Sequence, residues 1–278
     1  MEGYLTSRDG IKIFYKRWEA ANPIGTLIIS HGYSEYCGRY EAIASRLIEG
    51  GLDVYAFDCR GHGKSEGKRG HVNNFNEYIN DLDAVVQQAS GWKGKPFFLL
   101  GHSMGGLIAC LYCLKFRMES KLSIRGLILS SPAIKLSVKA AFLERLCCKI
   151  LSAVKPDFVL PSRVEPSHLA KDEKVIEKYR NDPLICRQIS ARLYTQMVKR
   201  GNEIMRRAGE FTLPVILVAG EEDKVVSAEA IKEFYEKIPS KKKSLKIYPG
   251  GYHELLNDFG KEEVLSDILS WAKSFLVA

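Results

Sequence analysis

Hydrophobic positions along this chain fall into short, dense runs separated by longer stretches in which apolar residues return every three or four places. The first pattern predicts buried strands and the second predicts amphipathic helices. Two extended runs, Gly3 to Thr6 and Ile11 to Trp18, flank the turn residues Arg8-Asp9-Gly10 and predict a β-hairpin. Strand and helix then alternate. Thr26 to Ser30 precedes Tyr40 to Glu49, Asp53 to Phe57 precedes Phe75 to Ala89, and Pro96 to Leu100 precedes a helical stretch from Leu107. Ile124 to Ser130 is again extended, and the pattern resumes with Pro214 to Ala219, Ala228 to Ile238, Leu245 to Tyr248 and Lys261 to Phe275. These eight extended runs predict an α/β architecture, a mostly parallel eight-stranded sheet with helices on both faces. Between Lys135 and Gly209 strand signals are scarce and helical ones are not. The expected organisation is a core of residues 1–134 and 210–278, interrupted by a helical cap at 135–209. The cap would lie over the carboxyl ends of the strands, where such sheets form their sites.

One run of the core carries chemistry. Phe97-Phe98-Leu99-Leu100 leads into Gly101-His102-Ser103-Met104-Gly105-Gly106 and then into a helix-compatible stretch. This is a G-x-S-x-G nucleophile elbow in the strand-turn-helix context that the motif requires. Such a turn strains the serine toward positive φ, and the flanking glycines avoid a collision between a Cβ and neighbouring backbone. The helix N-terminus just beyond offers unpaired N–H groups to an oxyanion.

A serine hydroxyl needs a base to take its proton, and that base needs a third group to orient it. The histidines are His31, His62, His71, His102, His168 and His253. Elbow proteins place the acid and then the histidine after the serine, which leaves His168 and His253. His168 lies in the expected cap. His253 ends the glycine-rich loop Pro249-Gly250-Gly251-Tyr252 directly after a strand, and is the expected base. The run Val215 to Gly220 ends in Glu221-Glu222-Asp223, three acidic candidates, of which Asp223 stands far enough along its loop to reach a neighbour. Two backbone N–H donors should form the oxyanion hole. These are expected at Met104 and at Tyr33, in the turn Ser30-His31-Gly32-Tyr33. The set calls for no metal and no organic cofactor.

Composition narrows the setting. A chain of 278 residues, 46% hydrophobic and 27% charged, suits a soluble globular core with room for a cap. The polar start and the lack of any bilayer-length apolar run lead us to expect a cytoplasmic protein, with any membrane contact peripheral and made through the cap. Seven cysteines, an odd number, point to reduced thiols. Cys110 and Cys113, and the vicinal pair Cys147-Cys148, are expected as small buried hydrophobes rather than metal or redox sites. The net charge of +8 is concentrated between Lys135 and Glu210, where 16 lysines and arginines face 9 aspartates and glutamates. No nucleic-acid module accompanies that excess. It fits attraction to an anionic membrane surface or substrate, or simply a solvated helical face. Asp58 to Ser65 ends like a P-loop, but Asp58 stands where that motif needs glycine, and Gly67 falls one residue late for a dinucleotide fingerprint. Nucleotide binding is not expected.

With those residues in hand, the chain resembles the α/β-hydrolase family and, within it, the monoacylglycerol lipase and lysophospholipase group. The resemblance runs over nearly the whole length. It is carried by Ser30-His31-Gly32-Tyr33-Ser34-Glu35 with Gly38-Arg39-Tyr40, by Asp58 to Gly67 and by the elbow. Asp182-Pro183-Leu184-Ile185, Gly220-Glu221-Glu222-Asp223 and Tyr248 to His253 add to it. The resemblance implies the α/β-hydrolase fold, Ser103, Asp223 and His253 as a triad, and Tyr33 and Met104 as oxyanion donors. It also implies a cap whose apolar helix touches the membrane and admits one acyl chain. Bulky Tyr33 stands where relatives often carry a smaller residue, which would narrow the glycerol end of the pocket. Phe142, Leu143, Leu146 and Ile150, fringed by Lys139, Arg145, Lys149 and Lys155, suit an interfacial helix that meets the substrate, although a helix merely packed on the core has the same composition. The implied activity is carboxylic ester hydrolysis, from monoacylglycerol to fatty acid and glycerol through an acyl-enzyme. Lysophospholipids or general carboxylic esters as substrates, and a non-catalytic lipid-binding role on the same fold, are the alternatives.

Overall fold

In the computed structural model, which describes residues 1–93, 95–116, 124–137 and 142–276 and their side chains except at 90–93 and 142–145, ten strands and eight α-helices are present. The strands are β1 (Glu2–Thr6), β2 (Lys12–Trp18), β3 (Gly25–Ser30), β4 (Leu52–Phe57), β5 (Phe97–His102), β6 (Ile124–Ser130), β7 (Val159–Pro161), β8 (Gln188–Ser190), β9 (Val215–Gly220) and β10 (Lys243–Tyr248). Eight of them form one sheet in the order β1-β2-β4-β3-β5-β6-β9-β10. The β1–β2 hairpin and the β2–β4 pair are antiparallel, and every other pairing in that sheet is parallel. The core helices are α1 (Glu41–Glu49), α2 (Asn76–Lys93), α3 (Met104–Phe116), α7 (Ala228–Lys237) and α8 (Lys261–Lys273). Most boundaries fall within two residues of the sequence expectation, and two of the differences have a local cause. Tyr40 closes a 3-10 turn (Cys37–Tyr40) ahead of α1, and α2 continues past Ala89, through the weak helix formers Ser90 and Gly91.

Period-two alternation along the central strands sorts their side chains into two cores. Phe97 and Leu99 of β5, with Leu217 of β9, meet α2, α3 and α7 on one face. Phe98 and Leu100, with Ile216 and Val218, meet α1 and α8 on the other. Strands buried on both faces read as the unbroken apolar runs seen in the sequence. Because β3 lies between β4 and β5, the chain leaves β3 toward one side and returns on the other. The loops after β3 and β5 therefore diverge and open a crevice at the carboxyl edge. Register brings Ser30 beside Gly101, His102 beside Ser130, and Gly220 beside Tyr248 at that edge.

The segment between β6 and β9 contains α4 (Phe142–Val154), α5 (Glu173–Asn181) and α6 (Ala191–Arg206). Asp172 caps α5 and Ser190 caps α6, each accepting a backbone N–H of the first turn. The segment also contains an antiparallel ladder, β7 against β8, where the sequence signalled helices alone. Strands of three residues are too short to establish an alternation, and their partners lie far apart in the chain. The P-loop-like segment is a tight turn tied to β2 and to the chain after β3. Asp58 accepts the N–H groups of Cys37 and Lys64 at 2.7 Å, and Ser65 donates to the Asp58 carbonyl.

The insert is anchored by a close approach of α6 to the chain after β6, where a Cβ on Gly201 would strike the Ile134 carbonyl. Replacing Gly201 by Ala should destabilise the protein by about 1–3 kcal/mol in urea unfolding. Gly209, with nothing near its missing Cβ, should tolerate the same change without loss.

Candidate active site

Three neighbouring strands each lead into a serine held at positive φ: Ser34 (79°) after β3, Ser103 (50°) after β5 and Ser131 (41°) after β6. Conformations of this kind cost about 1–3 kcal/mol each and persist only where the surroundings enforce them. At Ser103 the enforcement is backbone. Its N–H donates to the Ser130 carbonyl, and its carbonyl accepts from Gly106 and Ala133, all at 3.0 Å. A Cβ on Gly105 would run into the Ser30 carbonyl, so glycine is required there for the elbow to lie against the β3 loop. The turn lifts Ser103 into the wall of a cavity of about 430 Å³.

The acid and the histidine meet because their loops press together. Glu221 and Glu222 donate their N–H groups to the carbonyls of Tyr248 and Gly251, and a Cβ on Gly220 would strike Gly251. Glu221 and Glu222 are exposed, whereas Asp223 turns inward. One Asp223 oxygen accepts the N–H groups of Val225 and Val226 at 2.8 and 2.9 Å. That leaves the other 2.8 Å from His253 Nδ1. Such a bond places the ring proton on Nδ1 and leaves Nε2 as the acceptor. Burial opposes ionisation of Asp223, but the His253 partner and the two N–H groups outweigh it and hold the carboxyl below the usual range. Burial also disfavours a charged His253. The Asp223 carboxylate, aided by Glu254 and Glu35, outweighs that and raises its pKa above 6.5.

Gly32 lies against the elbow, its absent Cβ 3.2 Å from Ser103 Cβ. The Gly32 N–H is already committed to Glu35 Oε1 at 2.6 Å, so the next N–H of the loop, that of Tyr33, is the one to consider as a donor. Met104 opens α3, and its N–H precedes the first turn's carbonyls. The Tyr33 ring lines the cavity and stands edge-on to the buried His62 ring at 5.8 Å. Ser103, Asp223, His253, Tyr33 and Met104 are thus gathered at one edge of the sheet. His168 reaches the cavity from the insert, and the imidazole bonded to Asp223 is that of His253.

The cavity wall is apolar above this floor, formed by Leu136, Leu151, Leu160, Ile189 and Met197. The cap residues expected to meet substrate are placed differently. Leu146 and Ile150 are 41% and 54% exposed, and with Val154 they form a solvent-facing stripe of α4. Cys147, Cys148 and Leu151, about a quarter to half a turn round the helix, line the cavity instead. The side chains of Phe142 and Leu143 lie outside the described residues. The expectation of buried thiols holds for Cys110 and Cys113 but not for Cys147, which is exposed, or Cys148, which is half-buried. Sequence reasoning gave no role to Glu35, Arg39, His102 or Glu254. The structure brings these four side chains together at the cavity floor. Among the described residues, no group of three His, Cys, Asp or Glu is placed to hold a metal ion, and no helix is long and apolar enough to cross a membrane.

Comparison with known proteins adds a lineage to this geometry. Residues 21–259 match the Hydrolase_4 family, described as serine aminopeptidase S33. An abhydrolase domain-containing protein of Dictyostelium discoideum is 34% identical over 97% of this chain, which spans 28% of that protein's length. The monoacylglycerol lipase of Mycolicibacterium smegmatis is 31% identical over 270 residues, 96% of this chain and 95% of that protein. The crystal structure of Paleococcus ferrophilus monoacylglycerol lipase superposes with a TM-score of 0.86 at 29% identity, covering 95% of this chain and 99% of that one.

The electrostatics give a direct expectation. An NMR titration of His253 should show a midpoint above 6.5, the imidazolium losing its proton only as pH rises through that value. In Asp223→Asn burial acts with less opposition, and the midpoint should fall.

Proposed function

The chain belongs to the serine aminopeptidase (S33) family of hydrolases, has the α/β-hydrolase fold and is a carboxylic ester hydrolase, and from that premise we propose that it cleaves monoacylglycerols to fatty acid and glycerol. The observation that carries this reading is the Asp223–His253 hydrogen bond together with the strained Ser103, His253 and Ser103 lining one cavity whose walls are largely apolar. In this reading Ser103 Oγ attacks the ester carbonyl while His253 Nε2 takes its proton. The N–H groups of Met104 and Tyr33 receive the negative charge that develops on the carbonyl oxygen. The glycerol oxygen leaves with the proton from His253, and the acyl group stays on Ser103. Water, activated by the same imidazole, then releases the fatty acid. Asp223 keeps the proton on Nδ1 and stabilises the imidazolium.

The proposal extends to the insert, 135–209, as a lid. Its α4 carries an exposed stripe of Leu146, Ile150 and Val154, with Lys149 and Lys155 beside it, and this suits contact with a lipid surface from which the substrate enters. Arg163 and His168 in the cavity wall favour a second reading, in which an anionic lysophospholipid head group is accepted.

A fluorophosphonate should label the native protein and not Ser103→Ala, and the same substitution should lower ester hydrolysis by about 10⁵–10⁶-fold. Each methylene buried in the cavity contributes about 0.8 kcal/mol, so kcat/KM should rise about fourfold per added carbon until the cavity is full. A flat chain-length series would instead mark a general short-chain esterase, and a preference for lysophospholipid over monoacylglycerol would favour the second reading. Ile150→Glu combined with Val154→Glu should reduce cosedimentation with lipid vesicles while leaving hydrolysis of a dissolved short-chain ester unchanged.

A further inference from the structure

We propose that Glu35, Arg39 and Glu254 form a buried ionic clamp that fixes the oxyanion loop to the histidine loop and keeps one uncompensated negative charge beside His253. The proposal rests on the catalytic reading given above. Arg39 is the centre of the clamp. Its two terminal nitrogens donate to the two oxygens of Glu254, both at 2.7 Å, and one of them also lies 3.3 Å from Glu35 Oε2. The guanidinium is 7% exposed, with the Tyr179 ring packed over it at 5.1 Å. Glu35 takes two further donors on its other oxygen, the Gly32 N–H at 2.6 Å and the Tyr40 hydroxyl at 2.9 Å. Every hydrogen-bonding neighbour of Glu35 and Glu254 named here donates, as two carboxylates require. Two carboxylates set against one guanidinium leave a surplus of one negative charge.

That arrangement touches the chemistry at two points. Glu35 occupies the Gly32 N–H, which orients the peptide that follows and with it the Tyr33 N–H. Glu254 is the neighbour of His253 in sequence, and its own N–H donates to the Leu169 carbonyl at 2.8 Å, so its carboxylate is held toward Arg39. Between the two lies His102. Its ring is 4.8 Å from that of His253 and its Nε2 is 3.9 Å from Glu35, while its Nδ1 donates to the Ser130 carbonyl. Burial keeps His102 neutral, its pKa below 6.5. The ion pairs alone give weak grounds for the cluster, since buried pairs seldom stabilise more than apolar residues of the same volume. A buried surplus carboxylate earns its place by stabilising the imidazolium that forms on His253 in each half-reaction.

The charged and titratable groups around His253 are few enough to separate. Asp223 faces it from the β9 loop, Glu35 from the segment after β3, His102 from β5 and Glu254 from its own loop, with Arg39 bound to both glutamates. From the insert, Arg163, Glu165, His168 and Tyr179 share the cavity, and Lys171 lies with Lys224 over the neighbouring Tyr252 ring. Among these, the clamp is the part whose charge can be changed without altering the Ser103, His253 or Asp223 side chains.

Glu254→Gln and Glu35→Gln each keep the shape and remove the surplus charge, with one of the two acceptor oxygens replaced by an NH2. Either should lower the His253 midpoint in an NMR titration by about one pH unit. The acidic limb of the fluorophosphonate labelling rate should move down with it. Arg39→Lys keeps the charge but loses the two-pronged contact, so it should lower kcat about tenfold or more with KM and the midpoint nearly unchanged. Thermal melts identify any variant that fails to fold, and the second glutamine variant then decides. A folded Glu→Gln variant with the wild-type midpoint, or an Arg39→Lys enzyme with the wild-type kcat, overturns the clamp. Absence of Ser103 labelling in the wild-type protein overturns the catalytic reading instead, and the NMR midpoint still reads the charge by itself.

Discussion

The site depends on one steric constraint, the direct contact of backbone with backbone where the elbow after β5 lies against the loop after β3. A methyl group at Gly105 would overlap the Ser30 carbonyl, and one at Gly32 would press on Ser103 and Glu35. Two loops packed that closely cannot shift independently. The strained Ser103 and the N–H groups proposed to meet its product charge therefore form one rigid unit. The left-handed serines at 34, 103 and 131 show where the molecule holds that strain. The cost is borne by the two-sided core beneath, in which β3, β5 and β9 are buried along their whole length.

Around this unit the buried charges obey a common rule: each is matched by donors or by an opposite charge before it faces the cavity. Asp223 is held by two backbone N–H groups and His253, and Glu35 by three donors. Arg39 is chelated by Glu254 and covered by Tyr179. Such groups keep their orientation without solvent, which suits a floor beneath apolar walls, where fixed dipoles act more strongly than they would in water.

The insert takes part in this order unevenly. Its middle is stitched to both site loops. Ser34 Oγ lies 2.7 Å from the Tyr179 hydroxyl, Tyr36 donates to Asp182, and Asp258 accepts the N–H groups of Lys171 and Asp172. Its first helix, α4, instead packs on α6 and turns Ile150 and Val154 to solvent. One roof thus combines a part bonded to the site with a part that faces outward. This division fits the lipid-surface contact proposed for α4 and leaves the site floor rigid.

Much of this was legible in the sequence because it is local. Apolar runs marked the strands, and the strand-turn-helix context of Gly101 to Gly106 located Ser103. The loops after Gly220 and Tyr248 offered Asp223 and His253 in the required order. Local signals decide such features because strand burial, tight turns and loop chemistry act within a few residues. What no local pattern carries is how distant segments meet. Arg39 and Glu254 are separated by 215 positions, β7 and β8 pair across the whole of α5, and the side of α4 that faces the cavity depends on what packs beneath it. The sequence by itself thus determined the fold class and offered Ser103, Asp223 and His253, in that order, at the ends of strands. Only the tertiary structure decided the clamp beside His253 and the placing of Cys147, Cys148 and Leu151, rather than Leu146 and Ile150, in the cavity wall. Those choices are made by packing between elements, where shape and charge are matched across space rather than along the chain.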